Sequence, residues 1–205
     1  MIKYSDIEPR KEAFVFELDD VLYPEKDYLY QIYYLFTAFL EYTELINAKQ
    51  ATSCMVDTYL TEGKEMVFDR LKKKFNIDEK YRHNFNHLNT TAKLPLKLLL
   101  DQSMLNLLQD IVIDRKKIFI LTNGNPVQQL NKIKQTEWHG LEPYLICYFA
   151  NETAPKPETD SIDLLIKNHN LQRRNVLMIG NSDIDRQCAD ASGIDLIKPI
   201  EFLQV

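Results

Sequence analysis

The sequence contains little cysteine and no long apolar run. Its three cysteines, Cys54, Cys147 and Cys188, are widely spaced and form no CxxC pair, which argues against a disulfide framework and against a zinc site. No segment approaches the ~18 uninterrupted apolar residues of a membrane span. The residues that follow Met1 include charges where a secretory signal would be apolar. We therefore expect a cytoplasmic protein with buried free thiols and no membrane partner.

An excess of positive charge is also missing. The chain has 25 lysines and arginines against 30 acidic residues, a net charge of -5, which argues against binding to nucleic acid or to a membrane surface. The basic run Lys72–Lys74 is followed by Asp78 and Glu79, a pattern typical of a solvated helix face. With 45% hydrophobic and 27% charged residues, the chain suits a globular protein with one substantial core and a small second lobe.

Short apolar runs alternate with helical patterns over most of the chain. Pro126 suits a first helical position in a helix that extends to about Gln135, and Ser161–Lys167 and Asp185–Ala191 also have helical patterns. Apolar strands that alternate with helices predict an α/β fold, a doubly wound, Rossmann-like parallel sheet covered on both faces. The five predicted strands are Ala13–Leu18, Lys117–Leu121, Leu145–Phe149, Asn175–Ile179 and 194–198.

Residues 24–94 interrupt this alternation. Tyr28–Asn47 has apolar residues at the spacing of one helical face, and Thr52–Phe75 continues with helix-forming residues. We expect a small helical cap inserted after the first strand, with a core built from residues 1–23 and 95–205. Its many tyrosines either pack the lobe or form a surface for a substrate or partner, which leaves monomer and homodimer both open.

Polar side chains follow each of the first four predicted strands. In a doubly wound sheet, ligands bind beyond the carboxyl ends of the strands. Carboxylates, a hydroxyl group, a lysine and a glycine turn therefore converge on one edge, which indicates a site for a phosphate with a hard divalent cation. These residues are Glu17, Asp19 and Asp20 after the first strand, Thr122 and Asn123 after the second, Lys156 after the third, and Gly180, Asp183 and Asp185 after the fourth.

Four segments resemble the haloacid dehalogenase-like superfamily, and within it the phosphatase-type members. In chain order they are "FELDDVLYP", "ILTNGN", "APKPE" and "GNSDIDRQCADASG". Each is weak alone, but four in order, each at a strand end, argue against chance. The insertion at 24–94 also stands where the family has a small helical cap. The resemblance implies hydrolysis of a small-molecule phosphomonoester, with a small phosphorylated metabolite as the binding partner.

The resemblance also implies a role for each candidate residue. Glu17 stands at the position of the nucleophile that attacks phosphorus, and Asp19 at that of the general acid and base. Thr122 and Asn123 stand where the family binds the phosphate oxygens. Lys156 stands where a lysine neutralises the repulsion between nucleophile and phosphate. The implied Mg²⁺ ligands are Glu17, Asp19 through its backbone carbonyl, Asn181 and Asp185.

Two of these positions depart from the family pattern. The family has aspartate where this chain has Glu17, and a metal-ligating aspartate where it has Asn181. One extra methylene moves a carboxylate by roughly 1.5 Å, and a misplacement of about 1 Å can reduce a rate about 10²-fold. Because Mg²⁺ needs near-ideal octahedral geometry, we expect weak or absent Mg²⁺ binding. Glu17 is then either a working nucleophile of weak or specialised activity or the remnant of a site kept for binding or regulation.

Other candidate sites have less support. True dehalogenase chemistry would need an aspartate nucleophile, which Glu17 does not provide. His83 and His87 are four residues apart and could form a metal pair on one helical face, but no third ligand lies nearby in the sequence. We expect them on a polar helix surface, and His139 in a turn.

Overall fold

The computed structural model describes residues 2–202, so the outermost residues of the predicted core, Met1 and 203–205, lie outside the described part. The chain divides into two compact units. One comprises Lys26–Lys97, and the other consists of the described residues before and after it. No helix within residues 2–202 is long and apolar enough to cross a membrane.

Within residues 2–202, seven strands form two parallel sheets. Five form the main sheet, in the order β5-β3-β1-β6-β7, and β2 pairs with β4. Each predicted strand is present within a residue or two, and the five-stranded parallel sheet confirms the predicted α/β fold class. The strands are β1 (Ala13–Phe16), β2 (Leu98–Leu99), β3 (Lys117–Thr122), β4 (Thr136–Glu137), β5 (Leu145–Phe149), β6 (Val176–Ile179) and β7 (Asp195–Ile197).

In the described part of the chain, eight α-helices accompany the strands. The first four lie in or at the start of the Lys26–Lys97 unit, and the other four alternate with strands of the second unit. Helices α4 and α5 were not predicted. The helices are α1 (Glu25–Glu44), α2 (Ala48–Glu62), α3 (Val67–Phe75), α4 (Tyr81–Thr91), α5 (Gln102–Ile113), α6 (Pro126–Gln135), α7 (Asp160–His169) and α8 (Asp183–Ser192).

The central strand β1 has no exposed residue. It pairs with β3 on one side and β6 on the other, and its Ala13 and Val15 belong to a core that includes Ile162 of α7 and Cys188 of α8. A strand with helices over it and strands on both sides needs apolar residues facing both directions. This burial explains why β1 is a continuous apolar run in the sequence. It also means that the polar residues after β1 begin where the strand leaves the core, at the carboxyl end of the sheet.

In the unit that contains the main sheet, helices α6 and α8 begin at side-chain caps. Asn125 accepts a hydrogen bond from the Val127 amide at 2.9 Å, directly before Pro126, as predicted for α6. Helix α8 begins at Asp183, two residues before the predicted start, because Ser182 and Asp185 form a capping box. The prediction placed Asp185 at the helix start, whereas the cap makes it the third helical residue.

The Lys26–Lys97 unit is helical, and the predicted helix-forming stretch Thr52–Phe75 is divided between two helices, α2 and α3. Gly63 has a φ of +92°, which ends α2, and a short 3₁₀ turn precedes α3. Aromatic rings fill the interior, with the Phe36 and Phe85 centroids 5.0 Å apart. Tyr28 and Tyr33 are buried in this unit, whereas Tyr34 and Tyr42 are exposed. The tyrosines therefore divide between packing and surface.

Candidate active site

The order of the sheet brings the predicted residues to one edge. Strand β1 lies between β3 and β6, with Phe16 in register with Ile120 and Ile179. The Glu17 amide continues the ladder by donating to the Ile179 carbonyl at 3.1 Å. The residues after β1, β3 and β6 therefore leave the sheet side by side, as the topology of a parallel sheet requires.

Lys156 connects two of these strand ends. Its side chain is 1% exposed, and its Nζ atom donates to the Asp185 carboxylate at 2.5 Å and to the Glu17 carboxylate. The backbone of Lys156 is held by Asn123, which accepts from its amide and donates to its carbonyl, both at 2.9 Å. The Asn123 side chain, predicted to bind substrate, therefore fixes the lysine loop.

Thr122, the last residue of β3, is also buried. Its Oγ1 atom accepts a hydrogen bond from the Gln129 amide at 3.0 Å. The nearby hydroxyl group also lowers the pKa of Glu17, against the larger raising effect of burial. Thr122 thus lies beside Glu17, and its role as phosphate anchor stays a prediction.

Asp19 lies against two residues that sequence reasoning missed. Its Oδ2 atom accepts from Lys132 Nζ at 2.6 Å and from Gln129 Nε2 at 3.1 Å. Both partners come from α6 and are at most 4% exposed. Gln129 and Lys132 are three residues apart on the helix that follows Thr122, a spacing that places them on one helical face. This spacing is the feature of the sequence that could have indicated them as site residues.

Asp185 has a structural role as well as an electrostatic one. Its Oδ2 atom accepts hydrogen bonds from the Asn181 amide at 3.1 Å, the Ser182 amide at 3.0 Å and the Ser182 hydroxyl at 2.7 Å. A Cβ atom added to Gly180 would lie 2.6 Å from the Asp185 Cβ, so only glycine fits there. By contrast, Asn181 and Asp183 are exposed.

Burial and ion pairing shift three pKa values at this edge. Burial raises the pKa of Glu17 above its ordinary value, and the nearby Lys156 offsets only part of that shift. Burial opposes the charge of Lys156, but the carboxylates of Glu17 and Asp185 together raise its pKa. Burial alone would raise the pKa of Asp185, but Lys156 and Ser182 lower it. One ammonium group therefore serves two carboxylates, and Glu17 is the less well stabilised of the pair.

The carboxylates of the implied metal site do not fit Mg²⁺. Glu17 Oε1 already accepts from the Leu18 amide at 2.9 Å and Oε2 from Lys156, and both oxygens of Asp185 have protein donors. Within residues 2–202 no group of three or more His, Cys, Asp or Glu side chains could hold a metal ion. Since Mg²⁺ requires several oxygen ligands in octahedral geometry, this donor set suits lysine and not the cation.

Comparison with known proteins identifies the family. A family model described as haloacid dehalogenase-like hydrolase matches residues 14–198, which is most of the chain and includes all four motif segments. The chain belongs to this family. The match confirms the resemblance that the motifs indicated. A search among curated proteins finds no match.

Solved structures of other proteins share the fold of this chain. A candidate β-phosphoglucomutase from Thermotoga maritima is 16% identical, with a TM-score of 0.65 over 94% of this chain and 96% of that one. A candidate hydrolase from Bacillus subtilis, solved bound to magnesium, is 17% identical, with a TM-score of 0.57 over 91% and 86%. A subfamily IA hydrolase from Geobacter sulfurreducens is 16% identical, with a TM-score of 0.55 over 92% and 87%. At these identities the likeness extends to the fold alone.

Proposed function

We propose that the protein hydrolyses a small-molecule phosphomonoester, a small phosphorylated metabolite, with weak or specialised activity. The observation that carries the proposal is the ion pair between buried Lys156 and Glu17, with Thr122 beside it. A lysine at that position neutralises the charge that a phosphate brings next to a carboxylate nucleophile. Asp19 lies two residues further along the same strand end and supplies a second carboxylate for proton transfer.

The first step forms a covalent intermediate on Glu17. A Glu17 carboxylate oxygen attacks phosphorus, the new O–P bond forms, and the bond from phosphorus to the leaving oxygen breaks. Asp19 donates its proton to that leaving oxygen and becomes a carboxylate. Thr122 and Lys156 bind the phosphoryl oxygens during the transfer.

The second step returns the enzyme to its starting state. Asp19, now a carboxylate, accepts a proton from a water molecule whose oxygen attacks the phosphorus atom. The Glu17 O–P bond breaks, which releases inorganic phosphate and regenerates the Glu17 carboxylate. Because the carboxylates are already bound to lysines, neither step passes through a divalent cation in this proposal.

The same geometry explains why we propose low activity. The Glu17 side chain is one methylene longer than aspartate, and misplacement by about 1 Å can reduce a rate about 10²-fold. Asn181 brings no negative charge, and its side chain is exposed. We propose weak or absent Mg²⁺ binding, and a dissociation constant in the low micromolar range by isothermal titration would contradict it.

A catalytically silent protein that uses the pocket for binding or regulation is the second candidate. This alternative is favoured because the carboxylate oxygens of Glu17 and Asp185 already accept hydrogen bonds from other groups of the protein. Under this alternative the site would be a set of ion pairs that stabilises the fold.

Hydrolysis of p-nitrophenyl phosphate by the wild type and by Glu17→Gln separates the two candidates. The hydrolase predicts phosphate release by the wild type and at least a tenfold loss in the variant, because an amide cannot attack phosphorus. No release by the wild type, or equal release by both proteins, would contradict Glu17 as a working nucleophile and favour the silent protein.

A further inference from the structure

We propose that Gln129 and Lys132 are positioning residues that bind one oxygen of Asp19, Oδ2, and thereby reserve the other, Oδ1, for proton transfer. The proposal rests on the proposed function, because it takes Asp19 as the general acid and base. It goes further by assigning the reacting oxygen and adding two residues of α6 that the four motifs do not contain.

The two oxygens of Asp19 have unequal surroundings. Oδ2 accepts two hydrogen bonds, from Lys132 at 2.6 Å and from Gln129 at 3.1 Å. Oδ1 is buried, and within residues 2–202 it has no hydrogen-bond partner. A buried polar atom without a partner is costly. The asymmetry is therefore best explained if a group that arrives with the substrate, the leaving oxygen or the attacking water, is the partner of Oδ1.

Gln129 also fixes Asp19 relative to the phosphate anchor. Its Nε2 atom lies 3.0 Å from Thr122 Oγ1 and 2.7 Å from the Asn123 carbonyl oxygen, in addition to its contact with Asp19. One buried amide group thus connects the proton donor with the end of β3. Because proton transfer needs heavy atoms at hydrogen-bond distance, a fixed separation of acid and anchor matters for the rate.

Lys132 adds charge to this arrangement. Its side chain is 2% exposed and lies between Asp19, at 2.6 Å, and Glu25, at 3.9 Å. When Asp19 gives its proton to the leaving oxygen, the resulting carboxylate already has an ammonium group beside it. Since charges interact more strongly away from water, Lys132 favours the state that follows proton donation.

A third buried lysine provides a matched control. Lys11 is also 2% exposed, but it donates to the Arg174 carbonyl at 2.7 Å and the Val176 carbonyl at 3.0 Å and pairs with Asp195. These partners lie at the opposite, amino-terminal ends of β6 and β7. Replacing Lys11 therefore removes a buried lysine from the same sheet without touching Asp19.

The experiment compares two substrates that differ in their need for an acid. Phenyl phosphate releases a strongly basic phenolate, which needs a proton, whereas 2,4-dinitrophenyl phosphate releases a weakly basic anion, which does not. We expect Lys132→Met and Gln129→Leu to reduce kcat/KM, which reports the first step alone, at least tenfold more for phenyl phosphate than for the dinitrophenyl ester, since general acid catalysis contributes about 10²–10⁴-fold. Lys132→Arg should restore part of the loss, and Lys11→Met should change both substrates equally.

The outcomes separate this proposal from the proposed function. Equal losses on both substrates in Lys132→Met and Gln129→Leu would overturn the positioning role and leave the hydrolase intact. If the wild type is too slow, the same comparison is made in the Glu17→Asp, Asn181→Asp background with magnesium. No turnover of either ester in either background would contradict the hydrolase, and with it the role of Asp19. If Lys132→Met does not fold, the positioning role is decided by Gln129→Leu and Lys132→Arg, both of which keep a positive charge at position 132.

Discussion

Lys11 and Lys156 are buried to nearly the same extent, at opposite ends of the parallel sheet. Lys11 donates to two backbone carbonyls and to Asp195, whose side chain is 62% exposed. Lys156 lies between two side-chain carboxylates, Glu17 and Asp185, that are 12% and 3% exposed. At the amino-terminal end of the sheet, the ammonium group of Lys11 therefore pairs with a carboxylate that contacts solvent. At the carboxyl-terminal end, the ammonium group of Lys156 pairs with two largely buried carboxylates, one of which is the proposed nucleophile.

The difference explains where pKa shifts occur. Both carboxylates beside Lys156 have shifted pKa values, in opposite directions. Buried groups that compete for one counter-charge are typical of functional sites. A lysine that satisfies backbone carbonyls is, in contrast, a structural element that closes the end of the sheet.

Removal of Lys156 should have the largest effect. Lys156→Met leaves Glu17 and Asp185 buried without their shared cation, and breaking a buried pair in this way costs about 3–5 kcal/mol. Urea unfolding at pH 7 would measure the loss. Adding Glu17→Gln and Asp185→Asn to the same chain should recover part of it. A loss of less than about 1 kcal/mol in the free energy of unfolding, as for an exposed ion pair, would contradict a buried charge shared by the two carboxylates.

Lys11→Met should have a smaller effect. The variant removes the hydrogen bonds that Lys11 donates to two carbonyl groups, and loss of a buried donor costs about 1–3 kcal/mol, while solvent can hydrate the exposed Asp195. The same urea titration, run beside Lys156→Met, makes the comparison direct. If the Lys11 variant lost as much stability as the Lys156 variant, the two ends of the sheet would not differ as described.

The pH dependence of Glu17→Gln tests the raised pKa of Glu17. A raised pKa in the folded state means that the wild type loses stability as pH rises from the ordinary value of glutamate, about 4.3, through the folded value. Glutamine does not titrate, so the variant should gain stability relative to the wild type as pH increases from 4 to 7. Thermal or urea unfolding across this range would show it. A relative loss with increasing pH would mean that the Glu17 pKa is lowered.

The smallest effect is expected from removal of the helical unit. The Asp101 amide donates to the Leu22 carbonyl at 2.8 Å, so the chain segments on either side of the insertion are already joined. We propose that residues 24–94 form an independent cap, and that a short glycine-serine linker in place of 26–97 adds little closure entropy. The shortened chain should still unfold cooperatively in urea. Loss of cooperativity would contradict an independent cap.

The sheet could be predicted from the sequence because its strands are buried on both faces. Such strands are continuous apolar runs, as in Ala13–Phe16, and strand ends gave the positions of Glu17, Thr122 and Lys156. The break at Gly63 was missed because helix formers continue on both sides of it. Helix α2 ends there because Gly63 has a positive φ, and the helix-forming residues around it do not indicate that conformation.

The second set of site residues could not be predicted in the same way. Lys132 and Gln129 are common polar residues of an amphipathic helix, and their burial depends on how α6 is rotated against the sheet. The side-chain amide of Asn123 also holds the Lys156 backbone, a contact that the sequence did not predict. Contacts between residues that are far apart in the sequence decide these roles, and one sequence alone does not show those contacts.

We propose that Glu17 and Asn181 limit activity at a site where Asp19, Thr122 and Lys156 are in place. The most direct test is the turnover of an aryl phosphate with magnesium by the wild type, Glu17→Asp, Asn181→Asp and the double variant. Because both residues belong to one unit, their effects should be non-additive. We expect a rise of about 10²-fold or more that is confined to the double variant. Wild-type turnover of about 1 s⁻¹ or faster, ordinary for an enzyme, or a double variant without activity, would contradict it.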